Sequence, residues 1–468
     1  MRPVRPRQPG LVTVTAMLGA LAACRSPELR EFAGSYATEA APIGVTRDFT
    51  LAAAPATIPL LDGRPLDVWA YNGQVPGPIL RVRLGETIRA TFTNQLPQPT
   101  TIHWHGVRVP NAMDGVPGVT QPPVQPGETF VYEFTPKDAG TFWFHPHLRS
   151  SEQIERGLFG VLIVEDQKPP PYSQDVLWVL DDWLLTPEGQ IFPQFNTRHD
   201  LAHDGRWGNV VTVNGHAREQ LVIKAGERIR LRLLNVANGR VFRPDFTGLD
   251  AKVIAVDGMY AARPLDPAGF ELAPGNRLDL DITVPADRRG QRVVVADRFT
   301  RQVIPLAEIV VSDAVVATPE FASPARAHVP AWGNTQDLPP RAEYRLDARA
   351  GGPYGIEWTI NGEAYDHAEH GTRPHNVQML PYGEWSKLRF VNDSFRLHPM
   401  HIHGQFFRLL TRNGQRVEEP FWRDTVLLHA KETIEVGLVP QDRGMWMLHC
   451  HILEHAESGM MTLVEVAG

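Results

Sequence analysis

The chain reads as an all-β protein built from three consecutive β-sandwich domains. Two observations predict this: one sequence frame recurs three times, and the segments within it alternate apolar and polar residues with almost no helical periodicity. The length of 468 residues agrees, being enough for about three domains of ordinary size.

Each copy of the frame starts with Asn-Gly, continues to Gly-Glu, and reaches an Asn after seven more residues. The three sets are Asn72-Gly73, Gly85-Glu86 and Asn94; Asn214-Gly215, Gly226-Glu227 and Asn235; Asn361-Gly362, Gly383-Glu384 and Asn392. Between Gly-Glu and Asn, one side carries Ala90 and Phe92, Leu231 and Leu233, or Leu388 and Phe390. The other carries Arg89 and Thr91, Arg230 and Arg232, or Lys387 and Arg389. A period of two with one polar face predicts a half-buried strand after a Gly turn.

A second landmark follows in each copy: Pro136 to Gly140, Pro285 to Gly290 and Pro440 to Gly444. Short apolar strands come next, at Phe142-Trp143-Phe144, Val293-Val294-Val295 and Met445-Trp446-Met447. The expected domains are 45–167, 168–318 and 335–468, with Pro169-Pro170-Pro171 and the Pro-rich stretch 319–340 as linkers.

Composition narrows the function classes. Hydrophobic residues at 43% and charged residues at 21% describe a soluble, loop-rich globular protein, and no run approaches the roughly 18 apolar residues of a membrane span. The net charge of -7, with no patch of Lys and Arg, argues against a nucleic-acid partner. Residues 1–24 differ from the rest: Arg2, Arg5 and Arg7 precede an apolar run from Leu11 to Ala23, the pattern of an export signal. Leu21-Ala22-Ala23-Cys24 resembles a bacterial lipobox, in which the cysteine is lipidated. The alternative is a plain signal peptide cut nearby. The expected location is the periplasm or outer envelope, with a lipid anchor through Cys24 if the lipobox is used. The only other cysteine is Cys450, so with Cys24 removed or lipidated the mature protein has no internal disulfide.

The copies differ in their chemistry. Nine residues after the marker Asn, the first has His103-Trp104-His105-Gly106 and the third His401-Ile402-His403-Gly404, where the second has Pro244-Asp245-Phe246-Thr247. Five residues after the second landmark's Gly, the first has His145-Pro146-His147 and the third His449-Cys450-His451, where the second has Val295-Ala296-Asp297. On a strand, residues two apart share a face, so each pair offers two imidazoles to one locality. One such pair is weak evidence for a metal, but four at equivalent places in a repeat point to metal ligation.

The same alternation turns Cys450 away from His449 and His451, so neighbouring residues serve different ions. His398, Cys450, His455 and Met460 form the two-His, Cys and weak axial Met set of a blue copper centre. Zinc is the competing ion, but it does not recruit a thioether. The eight remaining histidines of the motifs fit three ions ligated by three, three and two. The two-histidine ion would keep open positions for oxygen or water.

Together the motifs HWHG, HPH, HPMHIHG and HCHILEHAESGM resemble the copper signatures of the three-domain bacterial multicopper oxidases, the laccase and cuprous-oxidase group, over essentially the whole mature chain. The resemblance implies three cupredoxin-like Greek-key domains, the middle one without copper ligands, and four copper ions. It assigns type 1 copper to His398, Cys450, His455 and Met460, and type 2 to His103 and His401. One type 3 ion takes His105, His145 and His451; the other takes His147, His403 and His449. The cluster of three would lie between domains one and three, with Cys450 joining it to the type 1 ion, and dioxygen would be reduced to water there.

Asp114, in the turn after HWHG, matches the family's acid near the type 2 ion, and an ordinary Asp-Gly turn residue is the other reading. Several bacterial relatives place a proton-donating Glu directly after the last type 1 histidine, where this chain has Ala456 and then Glu457. Glu457 or water substitutes, or proton delivery differs.

The expected reductant is a phenol or aromatic amine, as in a laccase. The alternative is Cu(I), as in a cuprous oxidase of copper tolerance, but Ser394 to Leu397 before His398 hold no methionine to bind it. His199, His203, His367, His370 and His375 are expected to be solvent-exposed. A monomer is expected. A copper-free scaffold of the same fold would have lost ligands, and a two-domain copper nitrite reductase lacks the paired type 3 set.

Overall fold

The three Asn-Gly pairs are hairpin turns. Asn72, Asn214 and Asn361 have φ of 54°, 53° and 56°, and the glycines after them 72°, 80° and 81°. Two consecutive positive φ values make a tight turn whose twist suits antiparallel strands, and Asn tolerates that conformation better than other side chains. The computed structural model describes residues 42–60, 63–324, 338–367 and 377–468. The segment 1–24 with Cys24, and His370 and His375, lie outside the described residues. No helix among the described residues is long and apolar enough to cross a membrane.

Strands fill two facing sheets in each third of the chain. In the first, Arg64–Tyr71, Thr46–Leu60, Thr87–Asn94 and Thr129–Phe134 lie side by side. They face Ile79–Arg83, Gly160–Glu165, Gly140–His145 and His103–His105. The middle third has sheets of six and four strands, and the last has six and five. A parallel pair recurs in each sheet: Thr46–Leu60 with Thr87–Asn94 is matched by Asp175–Trp183 with Arg228–Asn235 and by Ala342–Ala350 with Ser386–Asn392. The repeat in sequence is thus a repeat in topology.

The marker asparagines explain how the repeat delivers side chains to one place. Asn94, Asn235 and Asn392 are buried, and each accepts a hydrogen bond at Oδ1 from the backbone N–H two residues on. Each donates twice through Nδ2: Asn94 to the carbonyls of Gln98 and Val124, Asn235 to Arg240 and Leu272, Asn392 to Arg396 and His429. This clamp ties a buried bend to its own loop and to a neighbouring segment, and it fixes where the strand nine residues later begins.

The polar faces differ in part from the sequence expectation. Thr87–Asn94 alternates buried and more exposed residues as predicted, but in Arg228–Asn235 the charged face is buried as well, and in Ser386–Asn392 Lys387 is buried beside Glu435. Arg230 and Arg232 both pair with Asp279, and Arg232 also pairs with Asp175 and donates to Thr141 of the first domain. The middle domain is enclosed by its neighbours, so its polar face is neutralised by ion pairs rather than by water.

Each domain has its own apolar core, and apolar clusters also cross the domain boundaries, two of them extensively. Phe406, Leu410, Trp422 and Val439 of the third domain join the core of the first. Trp143, Phe159 and Ile163 of the first pack with Val179, Trp183 and Leu234 of the second and with Leu453 of the third. Burying an aromatic or branched side chain stabilises by about 1.5–3 kcal/mol, so these boundaries hold the domains as one unit. Three short helices lie at the junction: α1 (Ser150–Glu155), α2 (Arg198–Ala202) and α3 (Leu453–Glu457). Thr197 and Asp200 form a capping box that starts α2. Glu454 of α3 accepts from Ser151 Oγ at 2.6 Å, Asn238 Nδ2 at 2.8 Å and Arg206 N at 3.0 Å, one partner from α1 and two from the middle domain.

Candidate metal centre

The strands Gly444–Cys450 and His398–Ile402 and helix α3 carry one group of donors. Cys450 Sγ lies 3.6 Å from His398 Nδ1 and 3.9 Å from His455 Nδ1, and the two Nδ1 atoms are 3.2 Å apart. Donors on one tetrahedral ion, at bond lengths of about 2.0–2.3 Å, stand roughly 3.3–3.8 Å apart, so this spacing fits a single ion. Met460 is fully buried in the same core cluster as Cys450, and its carbonyl accepts from the Cys450 N–H at 3.0 Å.

The far nitrogens of both imidazoles are capped. His455 Nε2 donates to the carbonyl of His203 at 2.8 Å, and His398 Nε2 meets Ser394 Oγ at 2.8 Å. Each cap leaves Nδ1 facing the sulfur. The buried Trp358 lies against both rings, 4.1 Å from His455 and 4.9 Å from His398 between centroids, with its own N–H on the Leu201 carbonyl. Burial, followed by the charge of His455, lowers His398 well below its ordinary range, and burial lowers His455 to about 3. Burial pushes the Cys450 thiol up. Neutral imidazoles are ready ligands, and a metal ion is what would draw off the thiol proton.

The second group is larger. His103 pairs with His145 across adjacent strands of the first domain, and His401 pairs with His449 in the third. The two domains then face each other: His103 stacks on His403 at 3.7 Å and His105 on His401 at 3.8 Å. Donor atoms fall within 4.8 Å of one another in the sets His105–His145–His451, His147–His403–His449 and His103–His105–His401. All eight rings are buried.

Hydrogen bonding fixes the ring nitrogens individually. Nδ1 of His103, His145, His401 and His449 sits on the carbonyls of Asp114, Pro146, Asp424 and Cys450, at 2.8, 2.9, 2.9 and 2.8 Å. His105 is turned the other way, with Nε2 3.3 Å from Asp424 Oδ1. What remains is a set of buried ring nitrogens without hydrogen-bond partners: Nε2 of His103, His145 and His401, Nδ1 of His105, and both nitrogens of His451. Leaving one buried polar atom unpaired costs about 1–3 kcal/mol, and so many in one place is the mark of a metal cluster. Buried imidazoles with thiolate-free, nitrogen-only donor sets suit copper. Burial, followed by the charges of neighbouring imidazoles, lowers His105, His147, His403 and His451 well below the ordinary range.

Asp114 is buried among these rings. Its Oδ2 accepts from His403 Nδ1 at 2.8 Å, its Oδ1 is 3.3 Å from His103 Nδ1, and its carbonyl holds His103. Ala456 packs with Val116, Met447, Met461 and Leu463, on the side of the segment that follows Asp114. Glu457 points elsewhere: its Oε2 accepts from Ser151 N at 3.1 Å at the start of α1. Burial raises its carboxyl to about 7 against the opposing bonds from Ser151 and Asn196. His367 is half-buried rather than solvent-exposed, with Nε2 3.5 Å from the Ala456 carbonyl, because the stretch from Tyr365 packs on this cluster. His199 is exposed as expected; His203 is exposed but covers His455 with its backbone.

Several site residues carry no sequence signal of their own. Asp424, Trp358 and the His203 carbonyl act through partners distant in the chain, Ser394 through a histidine four residues on, and no spacing in the chain marks any of them.

Three family models, each described as multicopper oxidase, match residues 53–169, 174–312 and 321–468. A solved multi-copper oxidase from Pseudomonas thermotolerans is similar at 34% identity and TM-score 0.79, covering 90% of this chain and 100% of that one. The multicopper oxidase MmcO of Mycobacterium tuberculosis is 29% identical over 95% of this chain and 94% of its own length. A solved laccase-like multi-copper oxidase from a lignin-degrading Ochrobactrum, described as having oxidase activity towards lignin model compounds, is 25% identical with TM-score 0.77, covering 92% of this chain and 100% of that one.

Proposed function

Because this chain belongs to the multicopper oxidase family, we propose that it is a laccase-like enzyme with four copper ions, oxidising phenols or aromatic amines and reducing dioxygen to water. The observation that carries this is the set of eight buried imidazoles from two domains, six of their ring nitrogens unpaired, joined through the chain to a buried Cys450. Bound copper would supply one-electron oxidation of the donor and four-electron reduction of dioxygen. His398, Cys450, His455 and Met460 hold the type 1 ion. His103 and His401 hold type 2. His105, His145 and His451, and His147, His403 and His449, hold the type 3 pair.

The protein's own residues set the conditions for that chemistry. The capped imidazoles fix which nitrogen faces each ion, so the site is arranged before metal enters. Because the His203 carbonyl and Ser394 cover the outer edges of His455 and His398, a donor acts across them without touching the rings. Such contact discriminates weakly among donors. Phe395, three residues before His398 and 78% exposed, offers an aromatic face for a phenol ring. Asp114, bridging His103 and His403, is the acid placed to hold or pass a proton beside the type 2 position. Domains 45–167 and 335–468 supply every ligand, and 168–318 supplies support. The pattern of residues 1–24 supports export to the envelope, with Cys24 as the lipid anchor.

Copper loading tests the proposal. The protein should bind four copper ions, show the intense blue absorption of a thiolate-copper bond with a near-ultraviolet shoulder, and consume oxygen faster with a phenol than with Cu(I). Binding of about one copper, or no oxygen uptake with any aromatic donor or Cu(I), would refute it.

A further inference from the structure

The middle domain contributes no imidazole, yet it reaches the eight-histidine cluster through Gly275-Asn276-Arg277. Gly275, at φ 88°, lies so close to the cluster that a Cβ there would stand 3.0 Å from His105 Cε1 and 3.1 Å from His451 Cδ2. Asn276 Nδ2 donates to the Thr425 carbonyl at 3.0 Å and contacts both carboxylate oxygens of Asp257.

Arg277 is completely buried, and every donor on its guanidinium is used. Nε donates to the Thr141 carbonyl of the first domain at 3.1 Å. Nη1 donates to the Gly275 carbonyl at 2.9 Å and Nη2 to the Asp257 carbonyl at 2.9 Å, both in the middle domain. The two remaining donors form a fork on Asp424 of the third domain, at 3.0 Å to Oδ1 and 2.6 Å to Oδ2. One side chain therefore ties all three domains together.

Asp424 in turn holds two imidazoles. Its carbonyl accepts from His401 Nδ1, its Oδ1 is 3.3 Å from His105 Nε2 and 3.5 Å from His401 Nδ1, and it also accepts from Thr425 Oγ1 at 2.8 Å. Burial acts to raise the Asp424 carboxyl, but the Arg277 charge and the His401 hydrogen bond overturn it and hold the group below its ordinary range.

We propose that Arg277 is a positioning residue for the copper cluster: its fork fixes the Asp424 carboxylate, and Asp424 fixes which nitrogen His401 and His105 present to the ions. The ligand-free domain thereby sets the geometry of the type 2 position. This rests on the copper reading of the eight histidines. Lysine cannot replace the fork, having a point charge and no planar pair of donors.

The test uses full-length protein carrying Arg277→Gln, Arg277→Lys and Asp424→Asn, each loaded with copper beside wild type. The readouts are copper content, the type 2 electron paramagnetic resonance signal, the blue absorption and thermal unfolding of the copper-free protein. The blue band lies on the other group of ligands and reports that the chain has folded. Loss of a partner that orients a ligand costs about 10–100-fold in metal affinity, so the type 2 signal should weaken at least about tenfold at limiting copper while the blue band stays. Arg277→Lys should recover unfolding temperature more than it recovers the type 2 signal. If Arg277→Gln does not fold to a blue protein, Asp424→Asn gives the decision. A wild-type type 2 signal and affinity in the folded variants overturns the positioning role. Wild-type protein that is not blue and shows no type 2 signal overturns the underlying reading, before any variant is considered.

Discussion

Asn392→Ala and Asn235→Ala make the same chemical change at equivalent bends, but only one bend leads to proposed copper ligands. At Asn392 the lost bonds are 2.7 Å to the Arg396 carbonyl, 2.8 Å to the His429 carbonyl and 2.9 Å from the Ser394 N–H; at Asn235 they are 2.8, 2.8 and 3.0 Å to equivalent partners. A net contribution of about 0.5–1.5 kcal/mol per bond gives a loss of roughly 1.5–4.5 kcal/mol for the three bonds the two sites share, with the Ser394 Oγ bond adding about one such contribution at Asn392. At about 2.1 cal/mol/K of unfolding entropy per residue, a cooperative unit of roughly 400 residues moves about 1 °C per kcal/mol, so unfolding should fall by roughly 2–5 °C in both, measured by calorimetry on copper-free protein. The spectra should then separate them. Asn392 also holds Ser394 Oγ at 2.8 Å, and Ser394 caps His398. Asn392→Ala should therefore shift or broaden the blue band, whereas Asn235→Ala, whose loop leads to Pro244, should leave it unchanged. Equal spectra from the two folded variants would refute the idea that these asparagines position the ligand strands. A loss of stability at only one of them would refute their equivalence.

Gly275→Ala should cost about 2–4 kcal/mol, from a positive φ and from carbon contacts near 3.0 Å at His105 and His451, and should lower copper content at the cluster with the blue band retained; unchanged copper content would contradict the close approach. Cys450→Ser should abolish the blue absorption and reduce phenol-driven oxygen uptake to background while the type 2 signal survives, as resonance and oxygen-electrode measurements would show. Met460→Leu conserves volume, so it should cost less than about 1.5 kcal/mol, keep the blue colour and raise the reduction potential of that site in a redox titration; an unmoved potential would remove Met460 from the ligand set.

Much of the fold was legible because the repeat states it three times. Asn-Gly turns, alternating strands and the recurrent Asn are local features, and each is enforced by short-range physics: positive φ, the two-residue period and a side chain folded onto its own loop. The histidine pairs were legible for the same reason, since two residues apart on a strand means one face. Local patterns did not show the buried polar face of Arg228–Asn235, because whether a charged stripe meets water or another domain is not encoded in its period. Nor did they show that His367 folds over Ala456, since nothing local distinguishes a covered histidine from an exposed one.

By itself the sequence determined the all-β repeat, the identity of the imidazole, thiol and thioether residues, and the absence of such donors at the equivalent places in the middle copy. Tertiary structure alone decided which ring nitrogen faces inward, because that depends on carbonyls such as those of Asp114, Asp424 and His203. For His103 the holding group lies in the following turn, for His401 a strand away, and for His455 in another domain. It also decided that the middle domain takes part. The fork of Arg277 meets Asp424 across 147 positions of chain, and only the packing of three domains brings that charge to the histidines it serves.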